Sequence, residues 1–435
     1  SGGASVADKS SSQTYNNADE GSSSDIQSNV ARPQSPRGTP RAGEEIKSDV
    51  VDFVNKIIAD AINMNASDIH VEPFKDQATL RYRIDGVLRY IDNGQFLKQQ
   101  YPAVSTRLKI MASLDIAERR LPQDGAIYFS GDGREFDIRV SVLPVQNGER
   151  IVMRLLDRNA VKLNLDSLNL DSTAQESLVK AIKAPQGLVL VTGPTGSGKS
   201  TTLYSCVNEI NTESINILTV EDPVEYNIDG IGQVQVNETI GRTFAAALRS
   251  FLRQDPEIIL VGEIRDQETA EISVKASLTG HLVLSTLHTN SALESVSRLI
   301  DMGIPAYLLT NALTLVVAQR LGRKLCDKCT QNDPNVTAEL LRGLGASEEM
   351  LADATPQKGA GCKACNRTGF RGRQGLYEVL NITPALRDAL MRSATSEEIK
   401  QIVKGEGFKS LQEIGLSMLC DGSLALTEYQ RIIAY

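Results

Sequence analysis

The chain has 435 residues and a mass of 47.2 kDa, more than one hydrophobic core usually supports, so we expect two or three domains. Its hydrophobic fraction of 41% and charged fraction of 23% are those of a soluble globular protein. No apolar run reaches about 18 residues, which excludes a transmembrane helix. The net charge of −8 disfavours DNA or RNA as the main partner.

The first 45 residues are rich in Ser, Asn, Asp, Gln, Pro and Arg, a composition typical of a disordered tail or interdomain linker. They begin SGGASVADKS, without Met and without the charged-then-apolar order of a signal peptide. We therefore expect a natural N-terminal domain to precede this sequence in a longer protein. A large chain without a secretion signal also predicts a reducing compartment, where its six cysteines would not form a disulfide framework.

Residues 46–158 are predicted to form one α+β domain, followed by an interdomain linker over 159–170. Apolar residues recur at helical spacing from Val50 to Ile62, and a second helix is predicted over 101–113. Asp85-Gly86 separates two alternating segments, TLRYRI and VLRYI, which is the pattern of a β-hairpin. The remaining strands are predicted in IHVEPF and over 126–129, 135–144 and 149–156.

From residue 171 to 435 the pattern becomes an alternation of short apolar strands and helical stretches. This alternation predicts an α/β domain with a parallel sheet covered by helices on both faces. The predicted strands are 187–193, 215–221, 257–263 and 280–288. A cysteine-bearing insertion follows over 326–365, and the C-terminal region 383–435 is predicted to be helical.

The sequence GPTGSGKST matches the phosphate-loop pattern GxxxxGK[ST], with an apolar strand before it and a helix-compatible segment after it. Glycines allow a tight turn whose N–H groups converge on phosphates, and the helix N-terminus favours an anion. Lys199 would reach the β- and γ-phosphates, and Ser200 would bind Mg²⁺. The candidate nucleotide-binding residues are Gly193, Pro194, Thr195, Gly196, Ser197, Gly198, Lys199, Ser200 and Thr201.

Acidic residues follow two of the predicted strands. Glu263 ends IILVGE, where Gly262 occupies the usual position of an aspartate, and it is a candidate general base or water-positioning residue. Glu221, in EDPVE, is a candidate for the missing carboxylate on the metal side. Ordinary solvation of strand ends is the alternative, but ligands of such folds gather at the carboxyl ends of the strands.

His281 and His288 flank the fourth predicted strand and would lie on opposite faces, so they do not predict a metal pair. Either histidine could sense the γ-phosphate, and His288 is the catalytic candidate; a structural role for each stays open.

Four of the six cysteines form two CxxC pairs, Cys326/Cys329 and Cys362/Cys365. Two such knuckles complete a tetrahedral Zn²⁺ site, and four protein ligands make it structural rather than catalytic. The alternatives are a redox dithiol pair or four unconnected thiols, but a redox CxxC usually belongs to a thioredoxin-like βαβ context, which this sequence lacks.

Taken together, GPTGSGKST, TVEDPVEY, LRQDPEIILVGEIRDQETA and LTGHLVLSTLHTN resemble the Walker A, Asp-box, Walker B and His-box motifs of the type II/type IV secretion ATPases. The segments ASDIHVEP, RIDG and RLPQDG, and the CxxC pairs followed by GFRGRQGLYEVL, are similar to that family as well. The resemblance covers roughly residues 46–435 and is strongest to ATPases that extend type IV pili or drive type II secretion.

This resemblance implies a PAS-like N-terminal module joined to a RecA-like P-loop module, with ATP between them. It also implies a homo-hexamer in the cytoplasm, held at the inner membrane by a platform protein and a cytoplasmic-facing adaptor. Arginines of both modules complete the site in the family, at the positions matched here by Arg139, Arg154, Arg253 and Arg265. Ordinary ion pairing is the alternative for each arginine. One departure is Ala126, where the family often has arginine after QDG.

The predicted function is therefore that of an ATP-hydrolysing motor for pilus extension or type II secretion, using ATP and Mg²⁺ with a structural Zn²⁺. A pilus retraction ATPase is the nearest alternative, but retraction motors usually lack the four cysteines. A DNA-uptake or DNA-translocating ATPase is disfavoured by the acidic charge and the lack of an aromatic and basic strip. A nucleotide-dependent scaffold without turnover is disfavoured by the presence of both Lys199 and Glu263.

Overall fold

The structure is a computed structural model that describes residues 48–92, 95–131, 134–157 and 163–433. The predicted tail over 1–45 and part of the predicted linker, residues 159–162, lie outside the described residues. The predicted domain boundaries and the PAS-like character of the first module stay predictions.

The N-terminal part of the described chain is an antiparallel sheet of six strands with two helices against one face. The sheet order is β3-β2-β1-β6-β5-β4. The strands are β1 (Ala66–Pro73), β2 (Ala78–Ile84), β3 (Val87–Ile91), β4 (Gln123–Gly131), β5 (Arg134–Val145) and β6 (Gly148–Asp157). The helices are α1 (Ser48–Asn63) and α2 (Phe96–Met111).

The hairpin between β2 and β3 is where the sequence predicted it. Asp85 and Gly86 have φ angles of 49° and 83°, as a two-residue turn with both residues left-handed requires. Helix α2, in contrast, begins five residues before the predicted start at 101. Leu97 is fully buried and Phe96 packs on Phe53 with ring centroids 4.6 Å apart, so apolar contact extends the helix past Pro102 toward its N-terminus.

The two faces of this sheet differ in chemistry because side chains alternate along each strand. On β1, Ile69 and Val71 are fully buried beneath the helices. On the opposite face, Asp68 pairs with Arg154 at 3.1 Å and with Arg83 at 3.3 Å. Glu72 likewise pairs with two arginines, Arg81 and Arg150, on the strands that flank β1. The open face is therefore a layer of paired charges.

The second part of the chain is built around a seven-stranded sheet in the order β15-β12-β7-β11-β10-β8-β9. Its strands are β7 (Gly187–Thr192), β8 (Ile217–Glu221), β9 (Gly232–Gln235), β10 (Ile258–Val261), β11 (Leu282–Leu287), β12 (Leu313–Leu325) and β15 (Phe370–Asn381). Strands β13 (Thr330–Asn332) and β14 (Gln357–Gly359) form a separate ribbon near the cysteines.

Helices cover this larger sheet. They are α3 (Ser172–Ile182), α4 (Lys199–Ile210), α5 (Phe244–Phe251), α6 (Gln267–Leu278), α7 (Ala292–Asp301), α8 (Ala306–Ala312), α9 (Ala338–Gly343), α10 (Glu348–Ala352), α11 (Pro384–Met391), α12 (Ser396–Gly405), α13 (Leu411–Cys420) and α14 (Leu426–Ile433). The sheet separates two apolar clusters, one that includes α5 to α8 and the C-terminal helices and one that includes α3 and α4. None of the helices described is long and apolar enough to cross a membrane.

The predicted parallel sheet is confirmed in part: the four predicted strands are parallel, but the sheet as a whole is mixed. Strands β12, β7, β11, β10, β8 and β9 are parallel, but β15 runs antiparallel to β12, so the sheet is mixed. The chain leaves β12, forms the cysteine-bearing segment and returns beside the same strand as β15. A return of this kind reverses direction, whereas a parallel neighbour requires a crossover connection.

Candidate active site at the phosphate loop

The phosphate loop joins the buried strand β7 to the exposed N-terminus of α4, as the sequence predicted. Gly193, Gly196 and Gly198 have φ angles of 146°, 79° and 91°, in the range that favours glycine. A Cβ atom on Gly193 would lie 2.5 Å from the carbonyl oxygen of Gln319 and 2.6 Å from Ser197 Oγ. Pro194, Thr195 and Gly196 are exposed at the open side of the loop. The loop therefore has the shape that a phosphate-binding turn requires.

Lys199 folds back over this loop. Its Nζ donates to the carbonyl oxygens of Gly193 at 2.8 Å and Pro194 at 3.2 Å. Burial lowers the pKa of Lys199, and the nearby Glu263 carboxylate opposes this shift. Ser200 is exposed, whereas Ser197 Oγ is buried without a hydrogen-bond partner among the described residues. The lysine and both hydroxyls are of the chemical types that can donate to phosphate oxygens or bind a metal ion.

Gln319, on β12, supports the loop from below, and sequence reasoning missed it. Its Nε2 donates to Ser197 O at 2.6 Å, and its Oε1 accepts from Thr202 Oγ1 at 2.8 Å. The side chain is almost fully buried. One amide thus joins the loop to the first turn of α4. The sequence analysis predicted no element for the segment 313–325. The sign that could have revealed Gln319 was a polar residue within the apolar run of this buried strand.

Glu263 lies two residues beyond β10, at the edge where the phosphate loop begins. Its carboxylate pairs with Arg265 and with His288 Nε2, the latter at 3.3 Å. Arg265 also reaches Asp222 Oδ2 at 3.6 Å. The carboxyl ends of β8, β10 and β11 thus bring together two acids, an arginine and a histidine. A carboxylate so placed can orient a water molecule beside a bound phosphate.

The structure also gives a steric reason for the glycine that precedes Glu263. A Cβ atom on Gly262 would lie 3.1 Å from Val220 O and 3.2 Å from the Cα atom of Glu221. The Gly262 N–H also donates to Val220 O at 2.8 Å. Strands β8 and β10 therefore approach too closely at this point to accommodate an aspartate without a shift.

Glu221 does not join this cluster. Its carboxylate is buried and accepts hydrogen bonds from Tyr204 Oη, from Thr219 Oγ1 at 2.6 Å and from Gln233 Nε2 at 3.2 Å. These three donors occupy most of the acceptor capacity of a carboxylate. In this conformation Glu221 links α4, β8 and β9, and it is not presented to a metal ion.

Three of the four candidate arginines lie apart from Glu263. Arg139 donates to Val224 O and pairs with Glu225 at 3.2 Å, while the exposed Arg154 pairs with Asp68. Arg253 donates to Arg249 O at 2.8 Å and to Ser250 Oγ at 3.3 Å on its own helix end. Within the described ranges, no hydrogen bond or ion pair joins these three arginines to the phosphate loop. Of the four candidate arginines, Arg265 is the one that pairs with Glu263 in the part of the chain that the structure describes.

The two histidines have different environments. His281 Nδ1 lies 3.0 Å from Ala276 O, a local contact at the end of α6. His288 lies half exposed beside Glu263, at the start of a loop that neighbouring strands hold in place. From β12, Arg320 donates to Asn290 O of this loop at 3.1 Å. From β15, the buried Glu378 accepts from the Ala292 N–H at the end of the loop, at 2.6 Å. Burial raises the pKa of Glu378, although the backbone donors oppose this shift.

The four cysteines of the CxxC pairs meet beyond the end of β12. Their sulfur atoms all lie within 4.8 Å of one another. The pairs Cys326–Cys362 and Cys329–Cys365 are 3.9 and 3.7 Å apart, and Cys362–Cys365 is also 3.7 Å. A tetrahedral Zn²⁺ with Zn–S bonds of about 2.3 Å places its sulfurs about 3.8 Å apart. The donor set and its spacing therefore fit zinc.

Backbone donors add to this fit. The N–H groups of Cys362 and Gly369 donate to Cys365 Sγ at 3.1 and 3.2 Å. Burial raises the pKa of Cys365, but these donors and the neighbouring thiols outweigh it and lower the pKa to about 6. A thiolate is the form that binds a metal. Cys206 and Cys420 are buried elsewhere in the apolar clusters.

Comparison with known proteins shows the family of the chain. The model of the family described as type II/IV secretion system protein matches residues 44–431. The chain belongs to that family. It is 50% identical over 380 residues to the type IV pilus assembly ATPase PilB of Myxococcus xanthus, which is 87% of this chain and 67% of that relative. It is 44% identical over 399 residues to the putative type II secretion system protein E of Escherichia coli, covering 91% of this chain and 79% of that relative.

The fold has a solved counterpart as well. The crystal structure of the pilus retraction motor PilT with bound ADP superposes with a TM-score of 0.58 at 26% identity, covering 87% of this chain and 96% of that one. The α/β ATPase fold is thus shared. The family predicted from the sequence motifs is confirmed, and so is the prediction of an ATPase of the pilus-assembly and type II secretion class.

Proposed function

We propose that this chain is a homo-hexameric motor that hydrolyses ATP to add pilin or pseudopilin subunits, in type IV pilus extension or type II secretion. The observation that carries the proposal is the meeting of the phosphate loop with Glu263, Arg265 and His288 at one edge of the seven-stranded sheet. The pilus assembly and type II secretion relatives, at 44–50% identity, support this function. The retraction motor is similar at only 26% identity.

In the proposed reaction, the N–H groups of the phosphate loop and the N-terminus of α4 hold the phosphates of MgATP. Lys199 exchanges its two carbonyl acceptors for the β- and γ-phosphates, and Ser200 binds Mg²⁺. Glu263 orients the attacking water, and its pairing with Arg265 and His288 has to loosen before it can do so. Thr195, Ser197 and Thr201 complete the binding loop.

In this proposal, the candidate arginines stabilise negative charge during phosphoryl transfer. Arg139, Arg154, Arg253 and Arg265 neutralise charge on the transferring phosphoryl group, by the correspondence with the family's motifs. Arg139 and Arg154 are bound to Glu225 and Asp68 in the single chain. Their proposed action therefore requires a rearrangement of the two sheets or a second subunit of the hexamer. Glu221, given its three donors, has a positioning role in this proposal.

We propose a structural Zn²⁺ held by Cys326, Cys329, Cys362 and Cys365. With four protein ligands, the site leaves no position for a substrate. The ion would supply only cross-linking, joining the end of β12 to the segment before β15. By the family resemblance, the four cysteines favour an assembly or secretion motor over a retraction motor, and the net charge of −8 argues against nucleic acid as a partner.

The proposed location is the cytoplasmic face of the inner membrane, reached through the platform protein and adaptor of the pilus or secretion machine. The first test is release of phosphate from MgATP by the purified chain, with Lys199→Ala as the inactive comparison. The second is expression in strains that lack either the pilus assembly ATPase or the type II secretion ATPase, scored for surface pili or secreted protein. A chain that releases no phosphate in its assembled form would contradict the proposal.

A further inference from the structure

A continuous set of hydrogen bonds runs from the helix of the phosphate loop to the first sheet. It starts at Tyr204, on the second turn of α4, five residues and about 7.5 Å of helix rise beyond Lys199. Tyr204 is 1% exposed, and its ring packs edge-on against Tyr226 with centroids 6.0 Å apart. The tyrosine is therefore fixed to the helix whose first residues bind the nucleotide.

The hydroxyl of Tyr204 makes two contacts of opposite sense. It donates a hydrogen bond to the carboxylate of Glu221, the acid at the end of β8, and it accepts a hydrogen bond from the backbone N–H of Glu225 at 3.1 Å. Burial and the Glu221 carboxylate raise the pKa of Tyr204, so the hydroxyl keeps its proton. One oxygen atom thus connects α4 to both ends of the segment 221–225.

The far end of that segment contacts the other sheet. The Glu225 carboxylate pairs with Arg139 Nη1 at 3.2 Å, and Val224 O accepts from Arg139 Nη2. Gln233 strengthens the segment, because its Nε2 donates both to Glu221 and to Tyr226 O at 2.9 Å. The position of the Arg139 side chain is therefore set by the segment 221–225, which Tyr204 holds in place.

We propose that Tyr204 is a positioning residue that transmits occupancy of the phosphate loop to Arg139 through Glu221 and Glu225. When the phosphates order the start of α4, the rigid helix shifts the hydroxyl, the segment 221–225 follows, and Arg139 changes its position. The effect on turnover rests on the function proposed above. The structural link between the bound nucleotide and the segment 221–225 does not rest on that function, and hydrogen exchange tests it separately.

The variant that removes only the hydroxyl is Tyr204→Phe, made in the full chain. Its matched control is Tyr377→Phe, another buried tyrosine of the same apolar cluster, whose hydroxyl donates to Leu168 O at 3.0 Å. Each substitution removes one buried hydroxyl and keeps the ring, although Tyr204 loses two hydrogen bonds and Tyr377 loses one. A loss of general stability should therefore appear in both, whereas loss of coupling should appear in Tyr204→Phe alone.

Turnover is measured in these variants and in an Arg139→Ala background. Tyr204→Phe should lower kcat about tenfold while the affinity for a fluorescent ATP analogue stays within about twofold. In the Arg139→Ala background the same substitution should change kcat by less than about twofold, because the residue it positions is gone. An equal loss in both backgrounds, or no loss in either, would overturn the proposal.

Hydrogen exchange supplies the readout that needs no hydrolysis. In the wild-type chain, MgATPγS should slow amide exchange in the segment 221–226, and Tyr204→Phe should abolish that change while protection of the phosphate loop itself remains. Tyr377→Phe should respond as the wild type does. If the chain fails to hydrolyse ATP, the proposed function fails but this measurement still decides the link. An unchanged nucleotide response in Tyr204→Phe, or no response in the wild type, overturns it.

Discussion

The phosphate loop, Glu263, Arg265 and His288 lie at one edge of the seven-stranded sheet, here called the nucleotide edge. This edge and the cysteine cluster both contact β12, yet they are built in different ways. Gln319 lies beneath the phosphate loop, and Cys326 begins the cluster seven residues later, roughly 23 Å along an extended strand. At the nucleotide edge, the loop residues 194–196 and the side chains of Arg265 and His288 are exposed. At the cluster, four sulfurs lie within 4.8 Å of one another, and Cys365 Sγ accepts from two backbone N–H groups.

The difference teaches what each site is suited for. Polar groups that meet at an exposed edge, such as Glu263, Arg265 and His288, are suited to exchanging partners when a substrate binds. A closed set of four thiols has no free position, so it can stabilise local structure but cannot take part in turnover. Substitutions should therefore separate into those that act on turnover, those that act on affinity and those that act on stability.

The largest effect is expected at Glu263. Glu263→Gln keeps the size of the side chain but removes the carboxylate, so kcat should fall about 10³-fold, within the range of a general base, while nucleotide affinity stays within about twofold. Phosphate release and a fluorescent-nucleotide titration measure the two quantities. Glu268→Gln, on the exposed surface of α6, is the control and should resemble the wild type. Wild-type turnover in Glu263→Gln would remove the proposed base.

Next come the arginines of the first sheet. Arg139→Ala and Arg154→Ala should each lower kcat by about 10²-fold with affinity within about threefold, because a charge that stabilises the transition state is lost. Arg342→Ala, which breaks an exposed pair with Glu348, should leave kcat unchanged. If the two first-sheet variants also leave kcat unchanged, their pairs with Glu225 and Asp68 are structural alone, and the open site is confined to the second sheet.

A smaller effect, on affinity, is expected for Gln319→Leu. The substitution leaves Ser197 O and Thr202 Oγ1 without their buried partner, at a cost of about 1–3 kcal/mol to the ordered loop. Affinity for MgATP should weaken about tenfold, whereas kcat at saturation should change less than affinity. Gln331→Leu, at an exposed position of β13, provides the comparison. Unchanged affinity would show that the backbone of the loop keeps its shape unaided.

The smallest effect on the nucleotide site is expected from the cysteines. Elemental analysis should find about one zinc per chain, and Cys362→Ser should lose it and lower the melting temperature. Affinity for MgATP should stay within about twofold, since the cluster lies about 23 Å along β12 from Gln319. Cys420→Ala should retain the metal. Zinc-free wild-type protein of the same stability would contradict the structural role, and a large loss of affinity would contradict the separation of the two sites.

The sequence by itself determined the features that depend on neighbouring residues. The phosphate loop is contiguous, and its glycines at 193, 196 and 198 occupy the backbone conformations that only their lack of a side chain makes easy. The Asp85-Gly86 hairpin and the C-terminal helices follow from local turn chemistry and helical spacing in the same way. Two CxxC pairs predicted a cluster because each knuckle already places two sulfurs together.

Tertiary structure alone decided the contacts between distant segments. The segment 313–325 is an apolar run without clear periodicity, so its identity as a strand, and the pairing of Ala318 with Thr192, came from packing across 126 residues. That pairing places Gln319 beneath the phosphate loop. Likewise, the segment EDPVE does not show which of its acids contacts which partner. Glu221 contacts Tyr204 and Glu225 contacts Arg139 because β8, α4 and β5 lie close together. Local sequence gives each residue its chemistry; only the register of the sheets gives it a partner.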